Sequence, residues 1–164
     1  MLKIAVVTIS DRSFNGVRAD LTGPALRDLI NSHSDDIADL YLVSDDSDMI
    51  SEKLVNLAEK DYRLILTCGG TGFAGRDNTP EATRRILHKE APGLMEYLRF
   101  RNYQNNINSY HSRGVAGVRG STLIINLPGS PGGAVDCYMI LKDYLRHPLE
   151  LLNGEVRDCK TNLL

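Results

Sequence analysis

The sequence predicts a single α/β domain: a mostly parallel, doubly wound sheet with helices on both faces. Three observations carry this. Apolar runs of strand length recur at residues 2–9, 37–43, 63–68 and 121–127. Stretches with apolar residues at helical spacing lie between them. A polar or glycine-rich loop follows each run. Strands that alternate with helices build a parallel sheet, because parallel neighbours need a crossover between them.

Leu2-Lys3-Ile4-Ala5-Val6-Val7-Thr8-Ile9 is rich in β-branched residues and reads as a central strand. The polar loop 10–16 follows, and Gly23-Pro24 then opens a helix with Leu26, Leu29 and Ile30 inward, ending near Ser32. Residues 37–43 form the second strand, which runs out into Ser44-Asp45-Asp46-Ser47-Asp48. Ser47 is the expected cap of the next helix, whose buried face is Ile50, Leu54, Leu57 and Ala58. Residues 63–68 are too short for a helix and are bounded by glycine, so they read as a strand covered on both faces. Thr79 as N-cap and Pro80 as first helical residue start a helix with Ala82, Ile86 and Leu87 inward. Pro92 interrupts it, and residues 93–103 form a short helix. The Asn-rich stretch 103–113 has no assigned state. Residues 121–127 are the last strand, leading into Pro128-Gly129-Ser130-Pro131-Gly132-Gly133 and a helix with Val135, Tyr138, Met139 and Leu145 inward.

At 164 residues the chain reads as one domain, 1–164, able to bury about 70% of its unfolded surface. Nineteen basic against 21 acidic residues leave a charge of −2, no footprint for duplex nucleic acid. No segment reads as a signal peptide or a membrane span. Cys68, Cys137 and Cys159 are odd in number and widely spaced, which argues for a reducing cytoplasm rather than a disulfide framework. The four histidines lack metal-ligand spacing.

In an open α/β sheet the loops after the strands gather at one edge, where ligands bind. Here those loops bring Asp11, Asp45, Asp46 and Asp77 beside Gly70, Thr71, Gly72, Pro128, Gly129 and Ser130. Glycines that admit close backbone approach, joined by carboxylates, suit a magnesium-bound polyphosphate. Two familiar motifs fail on context. Gly70, Gly72 and Gly75 satisfy the dinucleotide spacing, but the helix waits until Thr79 and no strand-end acid follows, which disfavours a nicotinamide dehydrogenase. Gly70 and Gly75 have the P-loop spacing, but Arg76-Asp77 stands where Lys-Ser/Thr belongs.

Thr67-Cys68-Gly69-Gly70-Thr71-Gly72, Arg76-Asp77 and Thr79-Pro80-Glu81-Ala82-Thr83 resemble the signature of the MoaB/MogA family of molybdenum cofactor biosynthesis. So do Ser10-Asp11-Arg12, Asp20 with Gly23-Pro24, and the run from Gly117 through Asn126-Leu127-Pro128-Gly129-Ser130-Pro131. The match runs in order over most of the chain and is most similar to the adenylyltransferases, MogA and the gephyrin G domain. The resemblance implies a homotrimer that binds molybdopterin and uses Mg-ATP to adenylylate its terminal phosphate, with a molybdenum-insertion partner downstream. It places the acidic activity positions on Asp45 and Asp77, read here as Mg²⁺ ligands rather than general bases. Gly70, Thr71 and Gly72 are assigned to the nucleotide phosphates, and Arg76 either to phosphate charge or to pairing with a surface carboxylate. Pro128, Gly129 and Ser130 are assigned to nucleotide or pterin phosphate, and Ser121 either to the pterin side or to a structural role. Asp11, Arg12 and Asp20 match family positions but could equally order their loops. The alternative function is a non-catalytic pterin-binding or scaffold member of the same family.

Overall fold

A computed structural model of the chain describes residues 1–33, 36–104 and 106–154. Six strands form one sheet: β1 (Lys3–Ile9), β2 (Ile37–Val43), β3 (Leu64–Cys68), β4 (Lys89–Glu90), β5 (Ala116–Arg119) and β6 (Thr122–Leu127). Their order is β2-β1-β3-β6-β5-β4. The four strands read from the sequence are mutually parallel. The two that escaped it, β4 and β5, add an antiparallel edge. They are short and carry Lys89, Glu90, Gly117 and Arg119, so no apolar run marks them.

The period of two along each central strand feeds two separate cores. Ile4, Val6, Leu64, Leu66, Leu123, Ile125 and Leu127 face one cluster with α2 (Thr22–His33), α5 (Pro92–Tyr103) and α6 (Pro131–Leu152). Ala5, Val7, Ile9, Ile65 and Ile124 face the other, under α3 (Ser47–Ala58) and α4 (Thr79–Arg84). Strands buried on both sides explain why their sequences are continuously apolar.

Several local expectations need correction. Asp46, not Ser47, caps α3: its carboxylate accepts from the Asp48 and Met49 N–H groups, both at 3.0 Å. α4 ends at Arg84, so Ile86 and Leu87 pack from the turn that follows it. Along α6 the inward stripe is Ala134, Cys137, Tyr138, Leu141, Leu145 and Leu149, while Met139 is exposed. The loop after β1 contains one further turn of helix, α1 (Asp11–Phe14), capped by Ser10. Cys68 and Cys137 are buried free thiols, and Cys159 lies outside the described residues. Among the described residues, no helix is long and apolar enough to cross a membrane.

Candidate active site

Because β1, β2, β3 and β6 run parallel, the loops that leave their C-terminal ends share one edge. A cleft of about 460 Å³ opens there, bounded by Ser10, Asp45, Gly70, Asp77, Gly129 and Ser130. It lies over β1 and β3, whose connections turn to opposite sides of the sheet. Such a switch point is where open α/β sheets bind ligands.

The glycine turn after β3 is built by two left-handed residues, Gly69 at φ 110° and Gly70 at φ 63°. A side chain at Gly69 would strike the Ile9 carbonyl oxygen, so only glycine lets β1 and β3 end side by side. Thr79, expected as a helix cap, is instead fully buried; its hydroxyl donates to Gly69 O at 2.9 Å and its N–H to Gly70 O at 3.1 Å. The turn is thereby tied to the start of α4. Thr71 is buried behind it, and Gly72 is close-packed against the Asp77 carboxylate.

Asp45 and Asp11 hold one another. The Asp11 N–H donates to Asp45 Oδ2 at 2.7 Å, and the Asp45 N–H donates to Asp11 Oδ1 at 3.0 Å. Ser44 Oγ donates to Asp11 at 2.8 Å, and Arg76 reaches its Oδ2 from Nε and Nη2 at 2.9 and 2.6 Å. The Ser44 hydroxyl first, and Arg76 with it, hold the Asp11 carboxyl below the ordinary range despite some loss of solvent. Partial burial, with repulsion from Asp11 and Asp77, pushes Asp45 up. Asp77 is half-buried, its Oδ2 accepting from the Ala74 N–H at 2.8 Å. Asp20 lines the cleft and also orders its loop, accepting from the Thr22 and Gly23 N–H groups. Arg12 is exposed.

Across the cleft, Ser130 caps α6 by accepting from the Gly133 N–H at 3.3 Å. Gly129 O accepts from the Thr22 hydroxyl at 2.8 Å, which joins this loop to α2. Pro128 lies one residue deeper, half-buried. Of the ten residues expected from sequence, Asp45, Gly70, Asp77, Gly129 and Ser130 line the cleft, Thr71, Gly72, Arg76 and Pro128 lie in the loops that bear them, and one stands apart. Ser121 precedes β6 at the opposite edge of the sheet, where it accepts from Arg63 Nη1 at 2.5 Å. A residue at a strand's start cannot share an edge with residues at its end, so within this chain Ser121 stands apart from the cleft.

Polar cleft residues not singled out beforehand include Ser13, Arg18 and Thr22. Nothing in their local spacing marks them; they arrive through α1, the loop after it and the first residue of α2. Cys68 borders the cleft, but burial raises its thiol and keeps it protonated at neutral pH. Among the described residues, no three His, Cys, Asp or Glu side chains group closely enough to hold a metal ion by themselves.

Comparison with known proteins follows the same lines. The family model described as "Probable molybdopterin binding domain" matches residues 5–147. The molybdenum cofactor synthesis protein cinnamon of Drosophila melanogaster is 38% identical over 157 residues, covering 94% of this chain. The chain spans only 26% of that longer relative. A molybdopterin adenylyltransferase of Helicobacter pylori is 33% identical over 157 residues, covering 93% of this chain and 89% of the relative. Among solved structures, the molybdopterin biosynthesis enzyme MoaB of Thermus thermophilus has a TM-score of 0.87 at 44% identity, covering 94% of this chain and 98% of that one. With the family model matched over most of the chain and relatives at 33% to 44% identity covered nearly end to end, this chain belongs to the MoaB/MogA family of molybdenum cofactor biosynthesis.

Proposed function

We propose that the chain is a molybdopterin adenylyltransferase, moving AMP from Mg-ATP to the terminal phosphate of molybdopterin and releasing pyrophosphate. The observation that carries this reading is the charge of the cleft. Asp20, Asp45 and Asp77 line it against the single guanidinium of Arg18, yet its floor is a glycine turn suited to phosphate. A polyphosphate cannot settle among carboxylates without a cation between them. Magnesium fits, since it takes one or two carboxylates and completes its shell with water and phosphate oxygens. When bound, the ion offsets charge on the phosphates.

In this reading Asp45 and Asp77 hold the ion, directly or through water. Gly70, Thr71 and Gly72 cradle the nucleotide phosphates, and Arg76 supplies positive charge at the rim. Pro128, Gly129 and Ser130 present the start of α6 to a phosphate. An oxygen of the pterin phosphate forms a bond to the α-phosphorus, and the bond from that phosphorus to the pyrophosphate oxygen breaks. The attacking oxygen is already ionised near neutral pH, so positioning and charge matter more than a strong base.

Incubation of the purified chain with molybdopterin, ATP and Mg²⁺ tests the reading. Adenylylated pterin and pyrophosphate in equal amounts are expected. A folded sample that binds pterin and forms neither overturns it in favour of a pterin-binding scaffold. Asp45→Asn and Asp77→Asn should weaken transfer more than pterin binding; wild-type turnover of both at limiting Mg²⁺ overturns the metal assignment. A homotrimer, a cytoplasmic setting and a molybdenum-insertion partner belong to the same proposal. Sedimentation of the purified chain checks the first.

A further inference from the structure

We propose that Arg113 is a positioning residue that clamps the 72–77 loop and so sets the Asp77 carboxylate at the cleft. The inference rests on the adenylyl-transfer reading for its effect on activity, but not for the clamp itself. Arg113 lies between a 3-10 turn (Ile107–His111) and β5, in the segment whose role the sequence left open. Its N–H donates to Thr71 O at 2.9 Å. Its guanidinium donates from Nε to Gly72 O at 2.7 Å, from Nη2 to Asp77 O at 2.6 Å, and from Nη1 to the Glu81 carboxylate. One side chain thus fastens both ends of the loop to each other and to the first turn of α4.

Beyond Arg113, the loop's ties to the rest of the fold among the described residues are the Arg76 fork onto Asp11 at its tip and an edge contact of Phe73 with His111, and neither holds its base. Phe73, Ala74, Gly75 and Arg76 between its ends are all exposed. Its internal bonds, Asp77 N–H to Ala74 O at 2.9 Å and Ala74 N–H to Asp77 Oδ2 at 2.8 Å, shape the turn without anchoring it. Those same bonds aim the carboxylate, so a shift of the loop base moves Asp77 relative to Asp45. The acceptors are two backbone carbonyls and a carboxylate in different directions. A planar guanidinium fork serves all three, whereas a lysine ammonium offers three donors from one point. Arg113 is a clamp by geometry and touches no substrate by assignment.

Three variants test this: Arg113→Gln, Arg113→Lys and Glu81→Gln. Amide hydrogen exchange on the ligand-free chain reads the clamp. In Arg113→Gln the Ala74 and Asp77 amides should exchange on the order of tenfold faster, the effect of losing about one charge-assisted bond, with β3 and β6 unchanged. The KM for Mg-ATP should rise by a similar order of tenfold, while pterin affinity stays within about twofold. Arg113→Lys should recover part of both effects. Glu81→Gln, which leaves the carbonyl bonds intact, should stay near wild type. Wild-type exchange of the loop in Arg113→Gln overturns the clamp. So does equal acceleration across β3 and β6, or a Glu81→Gln defect as large as that of Arg113→Gln. If the chain transfers no AMP at all, the exchange result still decides the clamp, so the two failures are distinct.

Discussion

Asp11 and Asp45 exchange backbone hydrogen bonds across the ends of β1 and β2, each carboxylate accepting the other's N–H. Two carboxylates are thereby fixed side by side, and only one has a strong partner. Arg76 forks onto Asp11, while Asp45 is left partly buried beside Asp11 and Asp77. Asp45 thus carries its charge against partial burial first and the neighbouring carboxylates second.

Asp45→Asn should make the metal-free chain more stable at neutral pH even as it impairs transfer. Asp45 has a raised pKa in the fold, so its charge is penalised relative to the unfolded chain. Its ionisation therefore removes stability as pH rises from about 3.8 through its raised value. The asparagine oxygen still accepts from Asp11. The gain should shrink as pH falls through that window and vanish where Asp45 is protonated in both states. Asp11 behaves oppositely: lowered in the fold, it stabilises above its ordinary pKa and the benefit is lost on further acidification. Urea unfolding at several pH values measures both signs.

Gly69→Ala and Gly75→Ala should separate sharply although they lie in one loop. At Gly69 the φ of 110° and the Ile9 carbonyl oppose a side chain together. A loss of at least about 2 kcal/mol is expected there. At Gly75 a Cβ meets nothing within 4 Å, and stability should change by under about 0.5 kcal/mol. Thermal unfolding distinguishes them, and equal effects would contradict the geometry of the turn.

Gly72→Ala acts differently again. Its φ is ordinary, and the atom in the way is Asp77 Oδ2, 2.8 Å from the added carbon. A side-chain oxygen can move where a backbone one cannot. Stability should hold within about 1 kcal/mol, while displacement of Asp77 lowers turnover on the order of tenfold or more. A steady-state assay beside a melting curve reads the two quantities.

Asn126→Ala should be among the most damaging changes away from the cleft. The buried amide donates to Thr67 and Thr83 hydroxyls at 2.9 and 3.0 Å and accepts from the Val115 N–H at 3.1 Å. Truncation leaves three buried groups short of a partner, a cost of about 3 kcal/mol or more. Chemical denaturation measures it; a loss below 1 kcal/mol would mean that the network carries little.

The candidate site was legible to the extent that its residues sit in the loops that bear it. Gly70, Gly72, Asp45 and Asp77 announce themselves by type and by following a strand. Thr79 was read as a cap because threonine before proline fits that role locally, yet burial turned its hydroxyl towards Gly69. Ser47 lost its role to Asp46 for an equally small reason: one residue earlier, a carboxylate could accept two N–H groups at once.

Sequence alone determined the alternation of elements, the four central strands and the loops that carry the chemistry. Those properties depend on short-range periodicity and on turn residues, which act over a few positions. Tertiary structure decided the antiparallel edge, the far-edge placement of Ser121, the Asp11–Asp45 clasp and the Arg113 clamp. The last joins residues 41 positions apart, and the clasp joins residues 34 apart. Such pairings follow from strand order and strand direction, which no local pattern contains.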